Sequence, residues 1–450
     1  MKYTCVRTNK NKILTYSGIV FLALFLTACG SSNNTQTPPN SKELSGKLLP
    51  PEGNEIYFGA FTEFGHLEDN VTTQVITNFD RLAEKNTAWS YFSNNWTTID
   101  QSNNHSPEIR YPRESIRKIH NLGKTPFVRL LPWTSPHIIE NFSEVTRKSS
   151  ANNLLPICKA SSTLPHNETT LVSFSEYQEF INNGATDGPC FNDFSMQSII
   201  DGDWDDKLIQ WAQDSKNNLD KDGDPIPLLA TFTIEMNGYW FPWSGIYNGG
   251  TKNEYESGDE LSKTSASGKA DGPERFRNAY RHIIDLFREQ EVNHITWFFV
   301  PDTIGPNRNY VSLLTEEWNK QTNYYPGDDY IDWIGTNLYG AARKNATWKD
   351  FNTELELKYQ EIADITPNKP IALLEFGVVE DHVSGNKSDW LQQTFETILA
   401  GDYLNFKAIS YWNDGWEGAD MRIDSSEETL TTFRELINNE RFISELRFSE

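Results

Sequence analysis

Cysteine is scarce in this sequence, with four among 450 residues, and so are methionine, at four, and histidine, at eight. The histidines form no cluster at metal-ligand spacing, so neither metal chemistry nor any other cofactor is expected. No glycine-rich loop links a strand pattern to a helix pattern, so a nucleotide phosphate has no cradle. Cations are outnumbered, 40 Lys and Arg against 63 Asp and Glu, for a net charge of −23. That field repels nucleic acid and other polyanions and leaves a neutral or cationic partner. The apolar run from Ile13 to Ala28 is too short and too one-sided for a membrane span.

What the run does fit is an export signal. Lys2, Arg7, Lys10 and Lys12 precede it without an acid, and it ends in "LTAC". Residues 1–28 are expected to be removed, which takes the charge from −23 to about −27. The ending resembles a bacterial lipobox, which implies a lipid on Cys29. The Gly30 that follows resembles outer-membrane sorting in a host with two membranes. An N-terminal lipid in the cell envelope would then be the one link to a membrane. Residues 29–54, rich in Pro, Ser and Asn, read as a disordered tether. Cys5 leaves with the signal and Cys29 takes the lipid. Cys158 and Cys190 remain as an even pair in an exported body, where a disulfide is expected and two free thiols are the alternative. Such a bridge would staple the polar segment 134–197.

Aromatic residues are abundant at 13%, including 14 Trp. Most of these rings are expected to fill a core, and some to bind flat, uncharged ligands such as sugars. Eight short apolar runs punctuate residues 55–445: 56–61, 87–92, 125–133, 226–235, 294–302, 330–340, 369–377 and 406–414. Continuous runs of this length predict strands buried on both faces, hence a parallel sheet. Helical spacing lies between them. In 273–290, Phe276, Tyr280, Ile283, Ile284 and Phe287 recur on one face. Further helices are predicted over 111–123, 198–218, 347–365, 388–401 and 429–442. The α/β alternation predicts a (β/α)8 TIM barrel with a long insertion between strands 3 and 4. An open doubly wound sheet is the competing architecture, and the count of eight favours the barrel. The acidic stretch "DKDGDP", 220–225, lacks the glycine and distal glutamate positions of a calcium loop and reads as a turn.

Barrel chemistry sits at the carboxyl ends of the strands. The fourth run ends "TFTIEMNGYWFPW", with Glu235, Asn237, Tyr239, Trp240, Phe241 and Trp243; the seventh ends "LLEFG", with Glu375. A surface carboxylate has no reason to end a long apolar strand. Two that face one cleft are the apparatus for glycosidic cleavage, one protonated to donate and one ionised to attack. Rings beside the acid suit the apolar faces of sugars, and Asn237 would hold a hydroxyl.

"IEMNGYWFPWSG" and "KPIALLEFG" resemble the acid/base and nucleophile motifs of glycoside hydrolase family 26. "IIDGDWDDKLIQWA", "ERFRNAYRHIIDLFR", "YYPGDDYIDWIGTNLYG" and "ISYWND" resemble it too, in order, over about residues 55–440. The resemblance implies a retaining mechanism with Glu235 as acid/base and Glu375 as nucleophile. It also implies Tyr339 beside the nucleophile and Trp412 under the sugar; Trp240 and Trp243 are expected as further substrate contacts, with core packing of at least one among Trp240, Phe241 and Trp243 as the alternative. The family's His before the acid is Ile234 here, and its Arg four positions before the acid is Thr231. The implied activity is endo-hydrolysis of a neutral hemicellulose by a monomer, with β-1,4-mannan first and β-glucan or β-xylan as alternatives. A glycan-binding lipoprotein without turnover is the reading from another class.

Overall fold

The computed structural model describes residues 46–65, 67–99, 105–133, 154–159, 168–173, 194–238, 240–251, 270–302, 315–403, 405–416 and 418–449. Eight strands alternate with helices: β1 (Ile56–Thr62), α1 (Thr73–Ala83), β2 (Trp89–Asn95), α2 (Arg113–His120), β3 (Thr125–Leu131), α3 (Asp205–Lys216) and β4 (Leu228–Phe232). Then come α4 (Asp271–Glu289), β5 (Ile295–Phe299), the single turn α5 (Gln321–Tyr324) and β6 (Trp333–Tyr339). The chain continues with α6 (Phe351–Ala363), β7 (Ile371–Gly377), α7 (Lys387–Ala400), β8 (Phe406–Asn413) and α8 (Glu427–Ile437). Each strand pairs in parallel with the next, and β8 pairs with β1, so the sheet closes into the expected barrel.

Aromatic side chains fill the interior. Tyr91 packs on Phe127 at 4.7 Å, Phe127 on Phe298 at 4.6 Å, and Phe298 on Trp333 at 5.6 Å. Trp89, Trp96, Trp211, Trp243 and Trp333 are among the largest fully buried side chains. Burying each such side chain stabilises the fold by about 1.5–3 kcal/mol, so a good share of the tryptophan serves the core. Helix α4 shows how the outer layer is fixed. Phe276, Tyr280, Ile283, Ile284 and Phe287 are buried, as their spacing predicts. The Tyr280 hydroxyl donates to Phe298 O at 2.6 Å and accepts from Phe232 N at 3.1 Å, which ties α4 to β5 and β4 at once.

The long insertion lies between β3 and β4. It contains an antiparallel hairpin, Leu154–Lys159 with Glu168–Ser173, the short helix Met196–Ile200, and α3. Cys158 is on the hairpin, and Cys190 lies outside the described residues, as do residues 1–45 with Cys29.

The tether expected over 29–54 needs correction at its end. Residues 46–49 pack against the foot of the barrel, the end where strands begin. Leu48 is buried, its N–H donates to Thr296 Oγ1 at 2.8 Å, and its carbonyl accepts from Trp333 Nε1 at 3.0 Å. Lys47 Nζ bonds Asp332 at 2.9 Å. Leu48 also bridges Phe448 near the other end of the chain. A polar composition concealed one apolar residue and one cation that each have a built partner.

Candidate active site

Strand β4 stops at Phe232, three residues before Glu235, rather than running to it as the apolar pattern predicts. Thr233 and Glu235 both have left-handed backbone, φ 60° and 51°. That region is uncommon for any residue but glycine and an outlier for a β-branched one. Neighbouring strands hold the turn from both sides: Thr233 N donates to Leu130 O at 3.0 Å, and Glu235 N to Val300 O at 2.7 Å. The strained turn lifts Glu235 onto the carboxyl-end rim.

Glu235 is half-buried. Its Oε1 accepts from Asn337 Nδ2 at 2.9 Å and its Oε2 from Trp240 Nε1 at 2.6 Å. Glu375, on β7, is 4% exposed. Its Oε2 accepts from the Tyr339 hydroxyl at 2.8 Å and its Oε1 from Arg129 Nη1 at 3.2 Å. Asn337 and Tyr339 are two residues apart on β6, hence on one face and about 6.6 Å apart. A register shift between Thr336 and Asn337 sets Asn337 opposite Glu375. One strand therefore holds both carboxyls side by side.

Burial pushes Glu375 up to about 8, against the pull of Arg129; the nearby Glu235 and Glu68 charges push the same way as burial, and the Tyr339 hydroxyl pulls down. Burial also raises Glu235, helped by Asp302, while the Asn337 and Trp240 donors lower it. Near neutral pH such a pair retains a proton. Among the described residues the one cation bonded to either carboxyl is Arg129, on Glu375.

Arg129 is 2% exposed and lies among the rings of Tyr91, Trp412 and Phe61, at 4.6, 5.2 and 5.8 Å. Its other terminal nitrogen, Nη2, bonds Glu68 Oε2. Arg129, Glu68 and Asn337 were not legible as site residues. The one signal was a cation inside the apolar run "FVRLL", which must be paired to be buried.

The expected substrate contacts divide. Trp240 and Tyr339 are half-buried and bonded to the two carboxyls. Trp412 stacks on Phe61, with centroids 4.0 Å apart and planes 8° apart, and is 6% exposed, so one ring face is already occupied. Two expectations are overturned. Asn237 is fully buried, and its side chain accepts from Asp302 N at 2.9 Å and donates to Asp302 O at 2.7 Å. It clamps the end of β5 rather than a sugar hydroxyl. Trp243 is buried, stacks on Phe241 at 4.4 Å, and donates to Ile234 O at 2.6 Å. It braces the strained turn from behind. Tyr239 lies outside the described residues. Ile234 joins the core, and the Thr231 hydroxyl donates to Thr233 O at 2.8 Å, so neither supplies a polar group to the rim.

Comparison with known proteins agrees with this geometry. The family model described as glycosyl hydrolase family 26 matches residues 199–373. Endoglucanase H of Acetivibrio thermocellus is 29% identical over 250 residues, covering 54% of this chain and 23% of that protein. A mannan endo-1,4-beta-mannosidase of Bacillus subtilis is 23% identical over 222 residues, covering 49% of this chain and 48% of that protein. The chain thus spans less than half the length of these relatives. In fold it is similar to a Cellulomonas fimi endo-beta-1,4-mannanase double mutant, with TM-score 0.51 and 17% identity over 89% of this chain and 73% of that one. It is also similar to GH26C from Muricauda, with TM-score 0.52 and 13% identity over 87% of each chain. Over residues 199–373 the chain thus matches glycosyl hydrolase family 26, and its closed barrel is the fold of these solved structures.

Proposed function

We propose that this protein is a retaining endo-β-glycanase of neutral hemicellulose, with β-1,4-mannan as first substrate. The observation that carries the reading is the shared strand β6, whose Asn337 and Tyr339 each hold one of the two carboxyls, Glu235 half-buried and Glu375 buried. Carboxyls about 5–5.5 Å apart favour retention, because one reaches the anomeric carbon while the other reaches the leaving oxygen. Glu375 attacks the anomeric carbon as Glu235 protonates the departing oxygen. Glu235 then takes a proton from water, which breaks the glycosyl ester and frees Glu375. Turnover passes through the form with the proton on Glu235, because Arg129 bonds the charge on Glu375. Trp240 and Tyr339 border the reacting sugar, and Trp412 lies beneath it. The protein acts as a monomer, exported and lipid-modified at Cys29.

A second substrate, β-glucan, is favoured by two observations. The identity to a protein named endoglucanase exceeds that to the mannosidases, and Ile234 offers no hydrogen bond where the family pattern has His. A reducing-end assay on mannan, xylan and mixed-linkage β-glucan, with product sizing, decides between them. Glu375→Ala should lower kcat at least 10³-fold on whichever glycan is cut while leaving oligosaccharide affinity within a few-fold. Normal hydrolysis by that variant would refute the assignment. Binding by the wild type without any hydrolysis across the panel would establish the glycan-binding alternative.

A further inference from the structure

Glu68 lies between β1 and α1, outside every motif that marked the site. Its backbone is left-handed, φ 57°, and its carbonyl accepts from Ser93 N at 2.8 Å. Its carboxylate accepts from the Ser93 hydroxyl at 2.9 Å and from Arg129 Nη2. Ser93 on β2 is the register partner of Arg129 on β3, so one rung of the sheet carries both groups that fix Glu68. Among the described residues the guanidinium is gripped only at its ends. Nη1 goes to Glu375 and Nη2 to Glu68, while Nε is buried without a partner. Glu68 is thus half of what holds the cation, and its side chain is 28% exposed, unlike the 5% of Glu375.

A carboxylate that owns a guanidinium outright ionises readily but is a weak nucleophile. One that shares it keeps more basicity. We propose that Glu68 is a positioning residue for the nucleophile: it divides the charge of Arg129 and so sets how strongly that charge is felt at Glu375. The inference rests on Glu375 being the nucleophile. Among the described residues the other charged or titratable groups around this unit are Asp69, Tyr91, Glu235, Tyr339 and Asp414; the Glu68 charge also bears on Asp69 and Asp414.

The test reads ionisation directly, so it does not depend on turnover. The Glu375 carboxyl is titrated by carbon-13 NMR in protein labelled at glutamate, assigned by its loss in Glu375→Gln. In Glu68→Gln the amide oxygen still accepts from Arg129, but one charge is gone, and the Glu375 midpoint should fall by about one unit, tenfold in ionisation constant. In Arg129→Gln it should rise by at least as much. If the protein hydrolyses a glycan, the acidic limb of kcat/KM should follow the Glu68→Gln shift while KM stays within a few-fold. A Glu375 midpoint that stays in place or rises in Glu68→Gln overturns the proposal. That variant alone suffices should Arg129→Gln fail to fold. Absence of hydrolysis in the wild type would remove the proposed activity and leave the titration result standing.

Discussion

At the residue scale, the site is controlled by who donates to which carboxyl. Trp240 donates its indole N–H to Glu235, and that bond favours the ionised form. Trp240→Phe keeps a ring and deletes the donor, so Glu235 should hold its proton to higher pH. A hydrogen bond to a charged group contributes about 1.5–3 kcal/mol, and one unit of titration is about 1.4 kcal/mol. The alkaline limb of kcat/KM should therefore move up by about one unit. A limb that does not move would show that the bond is not made in solution. Glu235 and Glu375 stood out in the sequence because each acid closes a long apolar run, whereas Tyr339 was reached only through the family resemblance. Asn237 and Trp243 were misread for the opposite reason. They share a segment with the acid, but the segment turns through left-handed backbone and sends them inward. No spacing rule for a strand anticipates two positive φ values at Thr233 and Glu235.

At the scale of elements, the eight strands were legible because doubly buried strands leave continuous apolar runs, and α4 because its apolar period matches 3.6 residues. What stayed hidden was register. The shift between Thr336 and Asn337 brings Asn337 level with Glu375, and nothing in "IGTNLYG" announces it. The arm at residues 46–49 was hidden too, because Leu48 and Leu49, adjacent in a polar stretch, carry no period. It has a measurable weight. A chain beginning at residue 55 loses the burial of Leu48, about 2 kcal/mol, and leaves Asp332 and the Trp333 indole without these partners. Thermal unfolding should show such a chain melting several degrees below one beginning at residue 46. Equal melting temperatures would show that the arm is not held.

At the scale of the molecule, we propose from the net charge of −23 and the basic, then apolar N-terminus that the protein works outside the cell on an uncharged polymer. We read Cys29 as the attachment point of a lipid. Mass spectrometry of the envelope-bound protein should find residues 1–28 gone and a diacylglycerol-sized addition on Cys29. Cys29→Ser should release the protein from the membrane fraction; if it stays bound, the anchor is elsewhere.

Because the arm grips the heel of the barrel, any mooring upstream of residue 46 holds the molecule from below. The two acids stand at the opposite rim, where the strands end, so a tether joined at the heel would leave them facing away from it.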